Sequence, residues 1–277
     1  MSSIVNLLYR MTRKINIIIL LFILTGITTI TSQSNNGQDS THLSSKDIPV
    51  SFSFSFKTSH LWRGIDCSPS PYFSTELSIS DKNKVIKVGI WNGLGTNGIF
   101  KEINHYLSVK KSGFIFELWD VYNFSTDASH NNKEYFNYNA KETGRFLDAS
   151  VKYRFSGKYP IQFMWATIFF GRDRGVLNQY NRYSTYIEVE YPIYRSNMIN
   201  FDLCIGGAFA MRKGKNEVGK KIDAHFFGDK AGITNISLKA SKDITICNYN
   251  IPVSVYGMWN PEGNRANVQV ALMLFSM

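Results

Sequence analysis

The sequence predicts an all-β protein: a transmembrane, antiparallel, up-and-down β-barrel of about 12 strands, with short periplasmic turns and longer extracellular loops. Three observations lead there. Segments of roughly ten residues alternate apolar and polar side chains, the period of a strand with one oily and one wet face. The connections between those segments alternate short and long, which sorts them to opposite ends of the strands. Past residue 33 no uncharged apolar run reaches the roughly 20 residues that a membrane helix needs, although aromatic residues make up 14% of the chain.

In chain order, Arg10, Arg13 and Lys14 precede the apolar INIIILLFILTGITTI of 15–30 and the small or polar Thr31, Ser32 and Gln33. Basic flank, apolar run and small-residue zone follow one another as in a secretory signal. Residues 1–33 are therefore expected to be a signal peptide, with Met11 as an alternative start, and the polar 34–48 a flexible linker. No cysteine lies near the cleavage zone to carry a lipid. Residues 49–277 are expected to form the barrel.

The first strand, 51–62, reads SFSFSFKTSHLW. Phe52, Phe54 and Phe56 share one face, and Ser51, Ser53, Ser55 and Lys57 the other. An edge strand of a soluble sandwich alternates in the same way, but the leader and the sorted loops put lipid against the phenylalanines. Parity turns Trp62 outward near the extracellular end, a depth that suits an indole. It turns Arg63 into the pore mouth, either as a solute contact or as the partner of an inward acid such as Glu76 or Glu117.

Further strands are expected at roughly 72–80, 84–92, 102–111, 113–123, 145–155, 160–170, 182–191, 199–210, 231–240, 244–258 and 265–275. DKN, KSG, SGKY, PIYRSN and SKD read as the short turns, and 125–144 and 211–230 as the longest loops. An even strand count returns both barrel termini to the periplasmic side. In the 145–155 strand Leu147, Ala149, Val151, Tyr153 and Phe155 oppose Asp148, Ser150, Lys152 and Arg154. In the 182–191 strand Tyr183, Thr185, Ile187, Val189 and Tyr191 oppose Ser184, Tyr186, Glu188 and Glu190. His105 and Asp120 break the pattern by falling on outer faces. For Asp120 a bulge or a position above the bilayer is expected. No packed soluble core is expected.

Composition excludes several functions. The +10 net charge includes the three basic residues of the leader, and the rest is scattered, so no dense basic block marks a nucleic-acid partner. Cys67, Cys204 and Cys247 are too few and too far apart for a disulfide framework or a zinc site. The histidines are His42, His60, His105, His130 and His225; His60 and its neighbour Ser59 point to opposite faces and cannot pair as base and nucleophile. An acid pair built on Asp173 across the mouth stays open. No cofactor and no enzymatic activity are expected.

The order strand, W-R-G, short S-P loop, strand, short turn and strand ending in G-x-W is written here as LWRGIDCSPSPYFSTELSIS followed by VGIWNG. It resembles the TorF-type porins of Gram-negative bacteria and related outer-membrane barrels of the Bacteroidetes type. The similarity covers 51–125 and returns in ASKDITICNYNIPVSVYGMWNPEG, 240–263. It implies an outer-membrane barrel and a pore, and it brings no catalytic residues. One departure is the final VQVALMLFSM, which ends on Met277 rather than on an aromatic residue.

By parity and loop position the candidate pore residues are Arg63, Lys87, Glu117, Asp148, Lys152, Arg154, Arg172, Arg174, Glu188 and Asp202. The two signs nearly balance, and mixed rings give weak ion preference. With Arg172 and Arg174 above Arg63, the expected function is a porin-like channel for small polar or anionic solutes. Its expected place is the outer membrane of a Gram-negative bacterium, where it meets outer-membrane lipid and the barrel-assembly machinery. The aromatic residues of the long loops, Tyr135, Phe136, Tyr138, Phe226 and Phe227, lead us to expect at least one loop folded into the mouth. A non-conducting structural or adhesive barrel, closed by side chains and infolded loops, is the alternative.

Overall fold

The alternating segments pair into one closed sheet in the computed structural model, which describes residues 49–277 apart from Asn131, Asn132 and Val176. The expected signal peptide, 1–33, and linker, 34–48, lie outside the described residues. In chain order the strands are β1 (Val50–Lys57), β2 (His60–Trp62), β3 (Ile65–Ser68), β4 (Tyr72–Ser80), β5 (Ile86–Gly95), β6 (Lys101–Lys111), β7 (Phe114–Asn123) and β8 (Phe146–Arg154). They continue with β9 (Gln162–Gly171), β10 (Ser184–Arg195), β11 (Asn200–Ala210), β12 (Gly214–Lys215), β13 (Lys221–Ile222), β14 (Gly232–Ile246), β15 (Tyr249–Asn260) and β16 (Arg265–Ser276).

Twelve of these strands close a barrel in the order β1-β16-β15-β14-β11-β10-β9-β8-β7-β6-β5-β4, and no helix occurs among the described residues. Every neighbouring pair is antiparallel. Closure happens at β1, whose Phe54 stands opposite Phe275 of β16 on one side and Thr75 of β4 on the other. Full pairing leaves no open sheet edge. The phenylalanine stripe forms a ladder on the outer wall: Phe54 stacks on Phe73 at 5.5 Å, and Phe52 meets Phe275 at 6.0 Å. Ser53, Ser55 and Lys57 line the interior.

The expected faces hold along the other strands. Phe116, Val189, Ile205, Leu238 and Val268 are exposed on the outside, while Tyr186, one position out of phase with Val189, is fully buried inside. Pro192 lacks an amide donor and sits in β10 at a register shift, where a ladder tolerates it.

Four expectations need correction. The first strand ends at Lys57, not at 62, so outward parity no longer governs Trp62, which lies inside the barrel. The SKD segment is not a turn: Lys242 and Asp243 stay paired with Val253 and Pro252, and the chain reverses at Cys247–Asn248. Those two residues have φ of 48° and 65°, as a two-residue type I′ turn requires. PIYRSN is likewise mostly strand: β10 runs through Pro192 to Arg195, and the chain reverses over 196–199.

The fourth correction concerns His105, Asp120 and the loop 124–145. No bulge interrupts β6–β7, and His105 stands directly opposite Asp120. The loop folds over this outer face. The fully buried Arg145 donates to both Asp120 oxygens at 2.9 Å and, from Nε, to the Tyr135 carbonyl at 2.7 Å. Tyr138 donates to Asp120 at 2.6 Å, and the Tyr135 hydroxyl lies 3.1 Å from His105 Nε2. The rings of Tyr122, Tyr135 and Tyr138 surround the guanidinium at 4.5, 4.2 and 5.0 Å. Tyr135, Phe136 and Tyr138 thus belong to an outer cap and do not narrow the mouth.

Candidate functional site

The segment between β1 and β4 does not continue the wall. After Lys57 the chain keeps a partial grip on β16: the Thr58 N–H donates to the Val270 carbonyl, the Thr58 hydroxyl oxygen accepts from the Val270 N–H, and the Leu61 N–H donates to the Gln269 side-chain oxygen. It then turns inward as the β2–β3 hairpin. Trp62 and Ile65 are paired across the turn, so Arg63 and Gly64 are its two central residues, with φ of 50° and 89°. Both values are positive, again a type I′ turn. Gly64 is required for a second reason: a Cβ there would lie 2.0 Å from the Thr234 carbonyl oxygen.

The W-R-G motif thereby places its tip across the lumen. Arg63 forms a bidentate pair with Asp148 of β8, at 2.6 and 2.9 Å. β8 stands on the far side of the ring from β1. The guanidinium also lies 4.6 Å from the Trp62 ring, with Tyr186 and Phe227 at 5.6 and 5.8 Å. The tip backbone is held as well, because Asn260 donates to the Gly64 carbonyl at 2.9 Å. The acid is neither Glu76 nor Glu117. Glu76 is occupied by Lys87 and the Tyr106 hydroxyl, and Glu117 by Lys152 at 2.8 Å.

Trp62 meets Phe146, Phe226 and Phe227 at 5.9, 6.1 and 5.3 Å. These rings join Val121, Met164, Ile168, Tyr186 and Ala208 in one buried cluster inside the loop end of the barrel. Behind the hairpin, His60 packs among Tyr72, Trp91 and Phe100 and lies 3.0 Å from the Tyr72 hydroxyl. The lumen is therefore filled at this level by apolar side chains from the wall, the hairpin and one loop.

That loop is 211–231, and its inward turn is specified locally. His225 and Gly228 bridge through their backbones, and the Phe226 N–H donates to Ser184 Oγ at 2.8 Å. Ser184 in turn donates to the fully buried Asp173, which also holds Arg182 at 3.0 Å. Asp173 is thus an ion-paired anchor, and among the described residues it makes no acid pair across the mouth. Burial, the largest cause, pushes the His225 imidazole below its ordinary 6.5 and the His130 imidazole likewise.

The remaining candidates fall into distinct places. Arg172 is wedged between Phe146 and Phe226 at 5.2 and 4.9 Å, where burial pushes its guanidinium down to about 10. Arg174 bonds the Asn178 side chain and the backbone of Asn178 and Gln179, which ties up its own loop. Arg154 pairs with Glu190 at 2.8 Å, Asp202 pairs with Arg195, and Glu188 accepts from Tyr186 at 2.5 Å. These contacts bring together Arg63 with Asp148 and Lys152 with Glu117, and leave Arg174 apart from the others.

Below the plug, toward the short turns, the lumen opens into a cavity of about 580 Å³. Its walls come from β1, β4, β14, β15 and β16, and it reaches the Ser196–Met198 turn. Lys57 and Lys239, inward charges by strand parity, line it, and so do Leu61 and Gln269, which the sequence did not mark. Their inward parity was the available signal.

No family model matches the chain, and no curated protein does. Among solved structures, an outer membrane channel from Pseudomonas putida F1 is similar over 85% of this chain and 98% of its own, at 8% identity and a TM-score of 0.43.

Proposed function

We propose that the chain is an outer-membrane barrel that passes small polar or anionic solutes, with the β2–β3 hairpin and the Phe226–Phe227 wedge as its constriction. The observation behind this reading is the inversion of ordinary packing. Large apolar side chains such as Phe73, Phe116, Ile205, Val255 and Val268 are exposed around the outer wall, whereas charged and hydroxyl side chains line the cavity within. An apolar belt of this extent suits lipid. A polar interior suits water and solute.

A second reading has its own observation. The aromatic cluster and the Arg63–Asp148 pair fill the loop end of the lumen, which favours a non-conducting structural barrel. Planar-bilayer recordings decide between them. Wild type is expected to pass little or intermittent current, and replacement of 58–71 by a short Gly-Ser link is expected to give a steady open level. Silence from both proteins, each inserted and folded, would overturn the channel in favour of the structural barrel.

A further inference from the structure

Most inward cations of the barrel are neutralised: Lys87 by Glu76, Lys152 by Glu117, Arg154 by Glu190 and Arg63 by Asp148. Lys57 and Lys239 are different. Both line the 580 Å³ cavity, and neither forms an ion pair among the described residues. Asp202 stands opposite Lys239 in the ladder but is held by Arg195. Glu76, which also lines the cavity, already serves Lys87 and the Tyr106 hydroxyl. Asp243 is the other lining acid and lies two residues beyond Ser241 toward the short turns, with Lys242 beside it.

The register fixes how the two lysines share the wall. Lys57 stands opposite Ala271, Ala271 opposite Ser254, and Ser254 opposite Ser241. Lys239 lies on the same face as Ser241 and two pairs nearer the plug. Three strand spacings, about 14 Å along the wall, therefore separate the strands that carry the two ammonium groups, with serine hydroxyls between them. Two like charges facing one cavity repel each other, and an anion placed between them relieves that repulsion. Trp91, Tyr256 and Leu61 line the same cavity and provide apolar surface beside the charge.

We infer that this cavity is a binding site for a small organic carboxylate, its oxyanion between Lys57 and Lys239 and its apolar body against Trp91 and Tyr256. The charge-assisted bonds supply the recognition, and the plug above closes the cavity at its loop end. The inference deepens the channel reading, which supplies the reason for such a site. Binding itself needs no current.

The test uses the whole barrel, folded in detergent micelles, and isothermal titration with sodium benzoate and, separately, with sodium phosphate. Benzoate is expected to bind saturably at one site. Lys57→Gln and Lys239→Gln should each weaken it about tenfold or more, corresponding to about 1.4 kcal/mol. Lys57→Arg and Lys239→Arg, which keep the charge, should retain binding, and Lys158→Gln on an exposed turn should change nothing. No benzoate binding, binding indifferent to both glutamine variants, or binding of phosphate alone overturns the assignment. Benzoate binding by a protein that never conducts would keep the site and remove the channel.

Discussion

Arg63 and Asp148 are 85 positions apart in the chain and meet through two hydrogen bonds across the barrel interior, with their side chains only 10% and 3% exposed. An ion pair so shielded is costly to break from one side, because the remaining charge stays buried. Removing one partner of such a pair costs about 3–5 kcal/mol, whereas replacing both with apolar residues is often neutral. Arg63→Ala and Asp148→Ala are therefore expected to weaken the hairpin's seat strongly, and the double change Arg63→Met with Asp148→Leu to do so much less. Urea unfolding in micelles for the three variants checks this; equal losses in all three would show that the pair itself carries the seat.

Gly64 supports the same junction through the backbone. An alanine there would need φ near 89° and would put its Cβ 2.0 Å from the Thr234 oxygen. Gly98 has φ of 73° but open space around the missing Cβ. Gly98→Ala is expected to cost about 1–2 kcal/mol, the left-handed penalty alone. Gly64→Ala should cost clearly more and displace the hairpin, read as increased accessibility of Cys67 to a thiol reagent. Matching effects of the two substitutions would refute the close-approach argument.

On the wall, Val151 and Lys152 test the faces. They are adjacent in β8, opposite Phe116 and Ile115 of β7, and Lys152 holds Glu117 at 2.8 Å inside. Val151→Arg near the membrane midplane should reduce folding stability by about 2–4 kcal/mol. Lys152→Gln removes a partly exposed pair worth about 1 kcal/mol or less. Denaturant titration into lipid vesicles measures both.

The wall was legible because strand period and loop sorting are local, repeated signals. Twelve segments were readable, and the faces of Val151 and Lys152 or Tyr186 and Val189 follow from parity alone. The plug was not, because parity was carried past Lys57 into Trp62. Arg63-Gly64 lacks the Asn-Gly signature that usually announces a type I′ turn, so WRG read as a strand end. Phe226 and Phe227 were singled out because rings in a polar loop need a place to pack. Tyr135 and Tyr138 carried the same signal, and only the position of Asp120 on the outer face hinted that their place lay outside. Asp148 could not be chosen over Glu76 or Glu117 because a partner across the lumen has no sequence spacing.

His225 makes the closed mouth sensitive to acid. Its Nδ1 accepts from the Phe227 N–H at 3.2 Å, and its Nε2 lies 2.9 Å from the Lys230 carbonyl. An amide donor on one side and a carbonyl on the other admit only the neutral ring with its proton on Nε2. Burial and Arg182 push the imidazole below its ordinary 6.5, while the bond to Lys230, Glu262 and Asp173 pull the other way, and the lowering wins. A released loop, with the ordinary value, then takes up a proton before the closed one does. The closed form keeps its full stability above about pH 6.5 and loses it as the pH falls from there toward the lowered value. Between about pH 7.5 and 5 the Phe226–Phe227 wedge should loosen and the emission of Trp62, isolated by subtracting a Trp62→Phe variant, should shift toward that of a wetter indole. His130 is lowered by burial in a different loop, where it bonds the Asn123 carbonyl, so His130→Asn should leave the Trp62 response in place. His225→Phe should abolish the response and give the loosened spectrum at both pH values; a response that survives His225→Phe would assign the acid sensitivity to another group.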